Sequence, residues 1–173
     1  MKLSVIVPVY NEHSTILEIL KRVQQADIGP SWQKEIIVVD NCSTDGTRDL
    51  LLEYKADNVR IIMQSENRGK GHSVRTAIPL CNGDYTIMQD ADLEYHPGEY
   101  AKLLQHALNN NLDVVYGSRV LGGKHYHYYR LNYWVVRGLT WLTNWFFGSS
   151  FTDVATNYKL MRTELLHSLE LQC

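Results

Sequence analysis

The densest chemistry in the sequence is Met88-Gln-Asp-Ala-Asp-Leu-Glu94. Residues two apart on an extended chain project to one side, so Asp90, Asp92 and, if the extension persists, Glu94 are expected to converge on one point. Three carboxylates gathered without a cation would repel one another and raise their own pKa values. A bound divalent ion removes that conflict, and hard oxygen ligands favour Mg²⁺ or Mn²⁺ over zinc. Ala91 is small enough to let a phosphate or a sugar approach. A second candidate is Pro8-Val-Tyr-Asn-Glu12, where Tyr10 could stack on a base and Asn11 or Glu12 could either bond a ribose or simply cap the next helix. Neither GxGxxG nor GxxxxGK[ST] occurs there, which removes the dinucleotide and P-loop fingerprints. Asp40 follows a run of apolar residues and can accept hydrogen bonds from a ribose or a base, while Ser43, Thr44 and Asp45 fit a helix N-cap better. In Asn67-Arg-Gly-Lys-Gly71, two glycines at a helix start offer backbone N–H groups to an anion, and Arg68 and Lys70 add charge.

These groups need a scaffold that delivers strand ends to one place. Residues 3–9, 35–40, 59–63, 85–88 and 113–116 read as strands, the first two too continuously apolar for a sheet wet on one face. Between them, residues 14–26, 47–54, 71–80 and 97–108 carry helical spacing. This alternation implies parallel crossovers, an α/β sheet with helices on both faces, and ligands beyond the carboxyl ends of the strands. The length, 173 residues, fits one domain.

Composition narrows the function. With 17 Lys+Arg against 19 Asp+Glu the net charge is −2, so no nucleic-acid partner is expected. Cys42, Cys81 and Cys173 share no metal or disulfide spacing, which makes a reducing compartment the default. The first apolar run contains Ser4 and Pro8 and does not read as a signal peptide, and no apolar stretch approaches the length of a span. Past residue 118 the texture changes. Residues 119–148 hold half of the chain's aromatic residues, and from Val114 to Thr152 there is no acidic residue while Arg119, Lys124, Arg130 and Arg137 are present. An amphipathic interfacial helix is expected within residues 126–148, since aromatics beside cations suit a headgroup layer; an ordinary core helix has the same spacing.

Taken in order, Val-Ile-Val-Pro-Val-Tyr-Asn-Glu at 5–12, Val-Val-Asp at 38–40, Asn-Arg-Gly-Lys-Gly at 67–71, Asp-Ala-Asp-Leu at 90–93, Tyr-Gly-Ser-Arg at 116–119 and Thr-Asp at 152–153 resemble family-2 glycosyltransferases of the GT-A (Rossmann-like) fold. The sequence is most similar to the polyprenyl-phosphate sugar transferases of the dolichol-phosphate mannosyltransferase type. The resemblance implies inverting, metal-dependent transfer of a hexose from a UDP- or GDP-linked sugar to a dolichyl or undecaprenyl phosphate. It implies that Pro8, Tyr10, Glu12, Val38 and Asp40 hold the nucleoside, that Asp90, Asp92 and Glu94 hold Mg²⁺ or Mn²⁺, and that Arg119 and Arg130 take the acceptor phosphate. Lys70 and Ala91 complete the donor set. A lipid phosphate is already ionised and needs no strong base, whereas a saccharide hydroxyl would need one, for which Asp153 is the candidate by motif. A donor-binding module without turnover is the third alternative.

The expected organisation is one glycosyltransferase domain over residues 1–173, with a nucleotide-sugar half at 1–95 and an acceptor half at 96–173. It would sit peripherally at the cytoplasmic face of a membrane. By the same resemblance, relatives often carry an acidic residue where this chain has Ala155, and they run on past the position of Cys173. Further C-terminal elements are therefore expected, and donor binding with slow transfer is expected of residues 1–173 alone.

Overall fold

The computed structural model describes residues 1–121 and 130–171. Five strands run in one direction: β1 (Lys2–Val9), β2 (Gln33–Asp40), β3 (Val59–Met63), β4 (Tyr85–Met88) and β5 (Val114–Tyr116). A sixth, β6 (Lys159–Arg162), runs against them, and the sheet order is β3-β2-β1-β4-β6-β5. Helices α1 (Ile16–Gln25), α2 (Thr47–Glu53), α3 (Lys70–Ala77) and α4 (Tyr100–Asn109) fall within three residues of expectation. The Pro97–Glu99 and Ile78–Leu80 ends of the expected helices are 3₁₀ turns instead, as Pro97 and Pro79 favour. A short α6 (Thr163–Ser168) follows β6.

Alternation along β1 builds both faces of the core. Leu3, Val5, Val7 and Val9 pack with Ile16, Ile19, Leu20 and Val23 of α1 and with Leu104 of α4. Ile6 joins Ile37, Val39, Ala77, Ile78 and Cys81 on the α3 side. Burial on both sides is why these strands are continuously apolar. The Cys81 thiol, reduced and buried, has its pKa pushed up to about 11 by desolvation, so it is a packing group and not a nucleophile.

Two features shape the edge where the strands end. On β1 the Ile6 carbonyl accepts from Gln89 N–H on the β4 side, whereas the Val9 carbonyl accepts from Asn41 N–H on the β2 side. Pro8 shares the parity of Ile6 but has no N–H to offer, and pairing with β4 stops at Ile6 and Met88. β1 and β4 therefore part just where the strand order reverses, the position at which α/β sheets bind ligands. Second, an antiparallel strand begins at the edge where its parallel neighbours end, so β6 delivers residues 153–158 to that same edge.

The expected interfacial segment is α5 (Arg130–Phe147). It is not a core helix: of its described side chains only Thr140 is buried, bonding the Val136 carbonyl and accepting from Val154 N–H. Trp134, Trp141, Trp145, Phe146 and Phe147 are each at least 65% exposed, with Trp141 and Trp145 stacked 6.3 Å apart. Among the described residues no helix is long and apolar enough to cross a membrane. Lys124, Tyr126, Tyr128, Tyr129 and Cys173 lie outside the described residues, as do the side chains of Arg130 to Asn132.

Candidate active site at the strand ends

A cleft of about 340 Å³ opens between the ends of β1 and β4. The end of β1 contributes Pro8, Val9, Tyr10 and Glu12, and the end of β2 contributes Asn41. The 67–70 loop and α3 supply Asn67, Gly69, Lys70 and Ser73; the segment after β4 supplies Asp90, Ala91 and Asp92. Tyr10 leaves 46% of its surface free, a ring available for stacking. Of the expected donor residues, Pro8, Tyr10, Glu12, Lys70, Asp90, Ala91 and Asp92 meet in this one volume.

Val38 and Asp40 do not reach the cleft wall. Val38 is fully buried in the core, and the Asp40 carboxylate is fully buried beneath the wall, accepting from Ser43 N–H and lying 3.5 Å from Arg48 Nε. An acid at a strand end can face inward to hold its own loop, and here it does. The helix-cap reading of this loop is corrected in detail: Gly46, at φ 92°, is the N-cap of α2, and Asp45 bonds Thr47 N–H from the preceding position.

What replaces Asp40 is an amide network that residue types alone did not single out. Asn41 Nδ2 donates to Asn67 Oδ1 at 2.7 Å, and Asn41 Oδ1 accepts from Arg68 N–H. Asn67 Oδ1 also accepts from Gly69 N–H, whose φ of 81° suits glycine. The network ties the loop before α3 to the end of β2.

The acidic segment departs from simple alternation. Leu93 takes φ 65°, which ends the extended run, and the Asp92 carboxylate folds back on Glu94 N–H at 3.0 Å. Glu94 is exposed and does not line the cleft. Among the described residues no group of three His, Cys, Asp or Glu side chains is gathered as a metal cluster. Asp90 is instead neutralised by Lys70, with Nζ 2.5 Å from Oδ1, while Asn157 Nδ2 bonds the other oxygen. Two carboxylates with phosphate oxygens nevertheless fit Mg²⁺ or Mn²⁺, which bind through one or two carboxylates plus substrate.

Under Asp90 lies Gln89, fully buried, which accepts from the hydroxyls of Tyr100 and Tyr158 and donates to the Asp90 carbonyl. Desolvation raises the pKa of both phenols, so both stay protonated donors.

Arg119 and Asp153, expected in separate roles, form one unit. Arg119 Nε and Nη2 donate to the two Asp153 oxygens at 2.7 and 3.0 Å, and the Arg119 and Ala155 amides bond the same carboxylate. Burial works to raise the Asp153 pKa, but the Arg119 hydrogen bonds and charge hold it below the usual carboxylate value. Such a carboxylate is a poor proton acceptor near neutrality and a good anchor for a guanidinium. Thr152 bonds Ser118 at 2.9 Å and fixes the two loops together.

A reversing parallel sheet with an acidic, glycine-bordered cleft at its carboxyl edge is the architecture of a GT-A glycosyltransferase. A Pyrobaculum calidifontis mannosyltransferase solved with GDP-Man and Mn²⁺ has this fold, with a TM-score of 0.68 and 25% identity over 97% of this chain and 46% of that one. Residues 4–169 match glycosyl transferase family 2, and the chain belongs to that family. It is 36% identical over 126 residues to the dolichol-phosphate mannosyltransferase of Pyrococcus furiosus, covering 72% of this chain and 35% of the relative. It is also 34% identical over 107 residues to an undecaprenyl-phosphate 4-deoxy-4-formamido-L-arabinose transferase of Pseudomonas fluorescens, covering 60% and 31%. The chain thus spans about a third of the length of these curated relatives.

Proposed function

We propose that the protein moves a hexose from a UDP- or GDP-sugar, with inversion, to a polyprenyl phosphate at a membrane surface. The observation that carries this is the β1/β4 cleft, where a stacking ring, a lysine at a helix start and two carboxylates line one volume. In this reading Tyr10 and Glu12 hold the nucleoside, and the 67–70 loop with Lys70 receives the diphosphate. Asp90 and Asp92 would hold Mg²⁺ or Mn²⁺; when bound, the ion stabilises negative charge on the departing nucleoside diphosphate. Glu94, turned out of the cleft, is not required by it.

The acceptor side follows from the Arg119–Asp153 unit. Asp153 occupies Nε and one Nη group, leaving the remaining guanidinium N–H groups to fix a phosphate oxygen. An ionised phosphate attacks without losing a proton, so the low basicity of Asp153 favours a phosphate acceptor over a saccharide hydroxyl. The relatives named for dolichol and undecaprenyl phosphate support the same choice. Arg130, which opens α5, would be the second phosphate group, and the aromatic face of α5 would rest on the cytoplasmic surface of the membrane. Residues 1–95 then form the donor half and 96–173 the acceptor half of one domain, with Asn157 crossing from the second to bond Asp90 in the first.

Thermal shift with UDP- and GDP-sugars, with and without Mn²⁺, tests the donor half. At 100 times the dissociation constant, binding adds about 2.7 kcal/mol, or roughly 5–10 °C for a domain of this size. Transfer of labelled sugar to a short polyprenyl phosphate, set against a saccharide, tests the acceptor. No shift with any nucleotide sugar, or transfer to the saccharide alone, would overturn the reading.

A further inference from the structure

Both oxygens of Asp90 are engaged by the chain itself. Lys70 Nζ sits 2.5 Å from Oδ1 and 3.4 Å from Asn157 Oδ1, and Asn157 donates to Oδ2. Asp90 is nearly buried, with 12% of its side chain accessible, so a bare carboxylate there would be costly; Lys70, 50% accessible on a flexible stem, can leave. A divalent ion on Asp90 must displace Lys70 or sit beside its charge. From this we propose that Lys70 is a resident counter-cation which competes with the metal for Asp90 and yields when a nucleoside diphosphate gives its ammonium another anion. The proposal rests on the nucleotide-sugar reading of the cleft and deepens it by making metal and nucleotide binding cooperative. Metal alone binds against a positive charge. Metal with diphosphate binds after that charge has moved to the phosphate oxygens, which the proposed function assigns to the Gly69–Lys70 end of the cleft. The exchange also keeps Asp90 neutralised between catalytic cycles.

The test counts free Mn²⁺ by electron paramagnetic resonance, with and without UDP or GDP. Lys70→Met and Lys70→Gln should each bind Mn²⁺ alone more tightly than the wild type, on the order of tenfold, the lower end of what an adjacent unit charge does to a carboxylate's proton affinity. The gain in Mn²⁺ affinity on adding nucleotide should shrink in both variants. Adding Asp90→Asn should abolish the advantage of Lys70→Met, since the competition is for that carboxylate. Arg22→Met is the control for bulk charge, because Arg22 pairs with Glu18 on α1 outside the cleft, and it should leave Mn²⁺ affinity unchanged. Unchanged or weaker Mn²⁺ binding in both Lys70 variants would overturn the proposal, as would an equal rise in Arg22→Met. If neither nucleotide altered Mn²⁺ binding by the wild type, the nucleotide-sugar reading would fail, while the metal-only comparison would still decide whether Lys70 competes for Asp90.

Discussion

Asp153→Asn separates an anchoring carboxylate from a catalytic base. Asp153 is 2% exposed and accepts four hydrogen bonds, two from the Arg119 guanidinium and two from backbone amides. Asparagine keeps one acceptor oxygen, but turns an NH₂ group toward a cationic donor and removes the charge. Breaking a fully buried pair costs about 3–5 kcal/mol. Arg119 keeps 28% of its side chain accessible and can rehydrate, so the loss should fall to about 2 kcal/mol. That corresponds to roughly 4–8 °C of melting temperature for a domain of this length.

The sign of the pH dependence follows from the depressed pKa. The contribution is complete above the unfolded carboxylate's value, 3.8, and is lost as pH falls through the lower folded value. Melting curves from about pH 7 down to about pH 3 should therefore show wild type and variant converging in acid. The KM for a polyprenyl phosphate should rise with little change in that for the donor, because Arg119 is misaimed. No stability gap near neutrality, or one that persists undiminished into strong acid, would refute the anchoring argument. A loss of kcat with both KM values unchanged, and an acid limb near neutrality in the wild-type rate profile, would restore the base.

Two further outcomes are expected. Asp92→Asn should leave the stability within about 0.5 kcal/mol of wild type, since Asp92 is exposed and among the described residues bonds only Glu94 N–H, yet it should lose metal-dependent turnover when Mg²⁺ or Mn²⁺ is limiting; unchanged turnover would remove it from the ion's ligands. Trp141→Asp with Trp145→Asp should abolish co-sedimentation with anionic vesicles without unfolding the sheet, since both rings are more than 60% exposed; binding that survives the double variant would place the contact elsewhere.

The parts of the fold legible in the sequence were those with a local signal. β1 and β2 are apolar on both faces, and the helices between strands bury one stripe each, so periodicity alone located them to within three residues. Asp90, Asp92, Tyr10 and Lys70 were legible because strand ends in an α/β sheet share one edge. For Asp40, residue type and position cannot say whether a strand-end carboxylate faces a ligand or its own loop; here it lies buried against Arg48, the second residue of α2. Glu94 was misread because alternation was carried past β4, where Leu93 turns the chain.

β6 was missed for a different reason, and its absence from the sequence reading hid the most consequential contacts. Lys159-Leu-Met-Arg162 is four residues long and carries charge at both ends, too short for a period and too polar for a buried run. Its identity as a strand is set by partners distant in sequence, Tyr85–Ile87 on one side and Val114–Tyr116 on the other. Continuing the register that pairs Ile87 with Leu160 sets Gln89 opposite Tyr158 and Asp90 opposite Asn157. The Tyr158 hydroxyl meets Gln89 and the Asn157 amide meets Asp90 in just those pairings. On its other edge Gly117 N–H bonds the Tyr158 carbonyl at 2.8 Å, and a Cβ at Gly117 would lie 2.9 Å from that of Tyr158, a closeness only glycine allows. Ser118 and Arg119 then emerge beside Thr152 and Asp153. One short antiparallel strand thus braces Asp90 on one side and the Gly117–Arg119 turn on the other, which is how residues more than 60 apart in sequence come together at one edge.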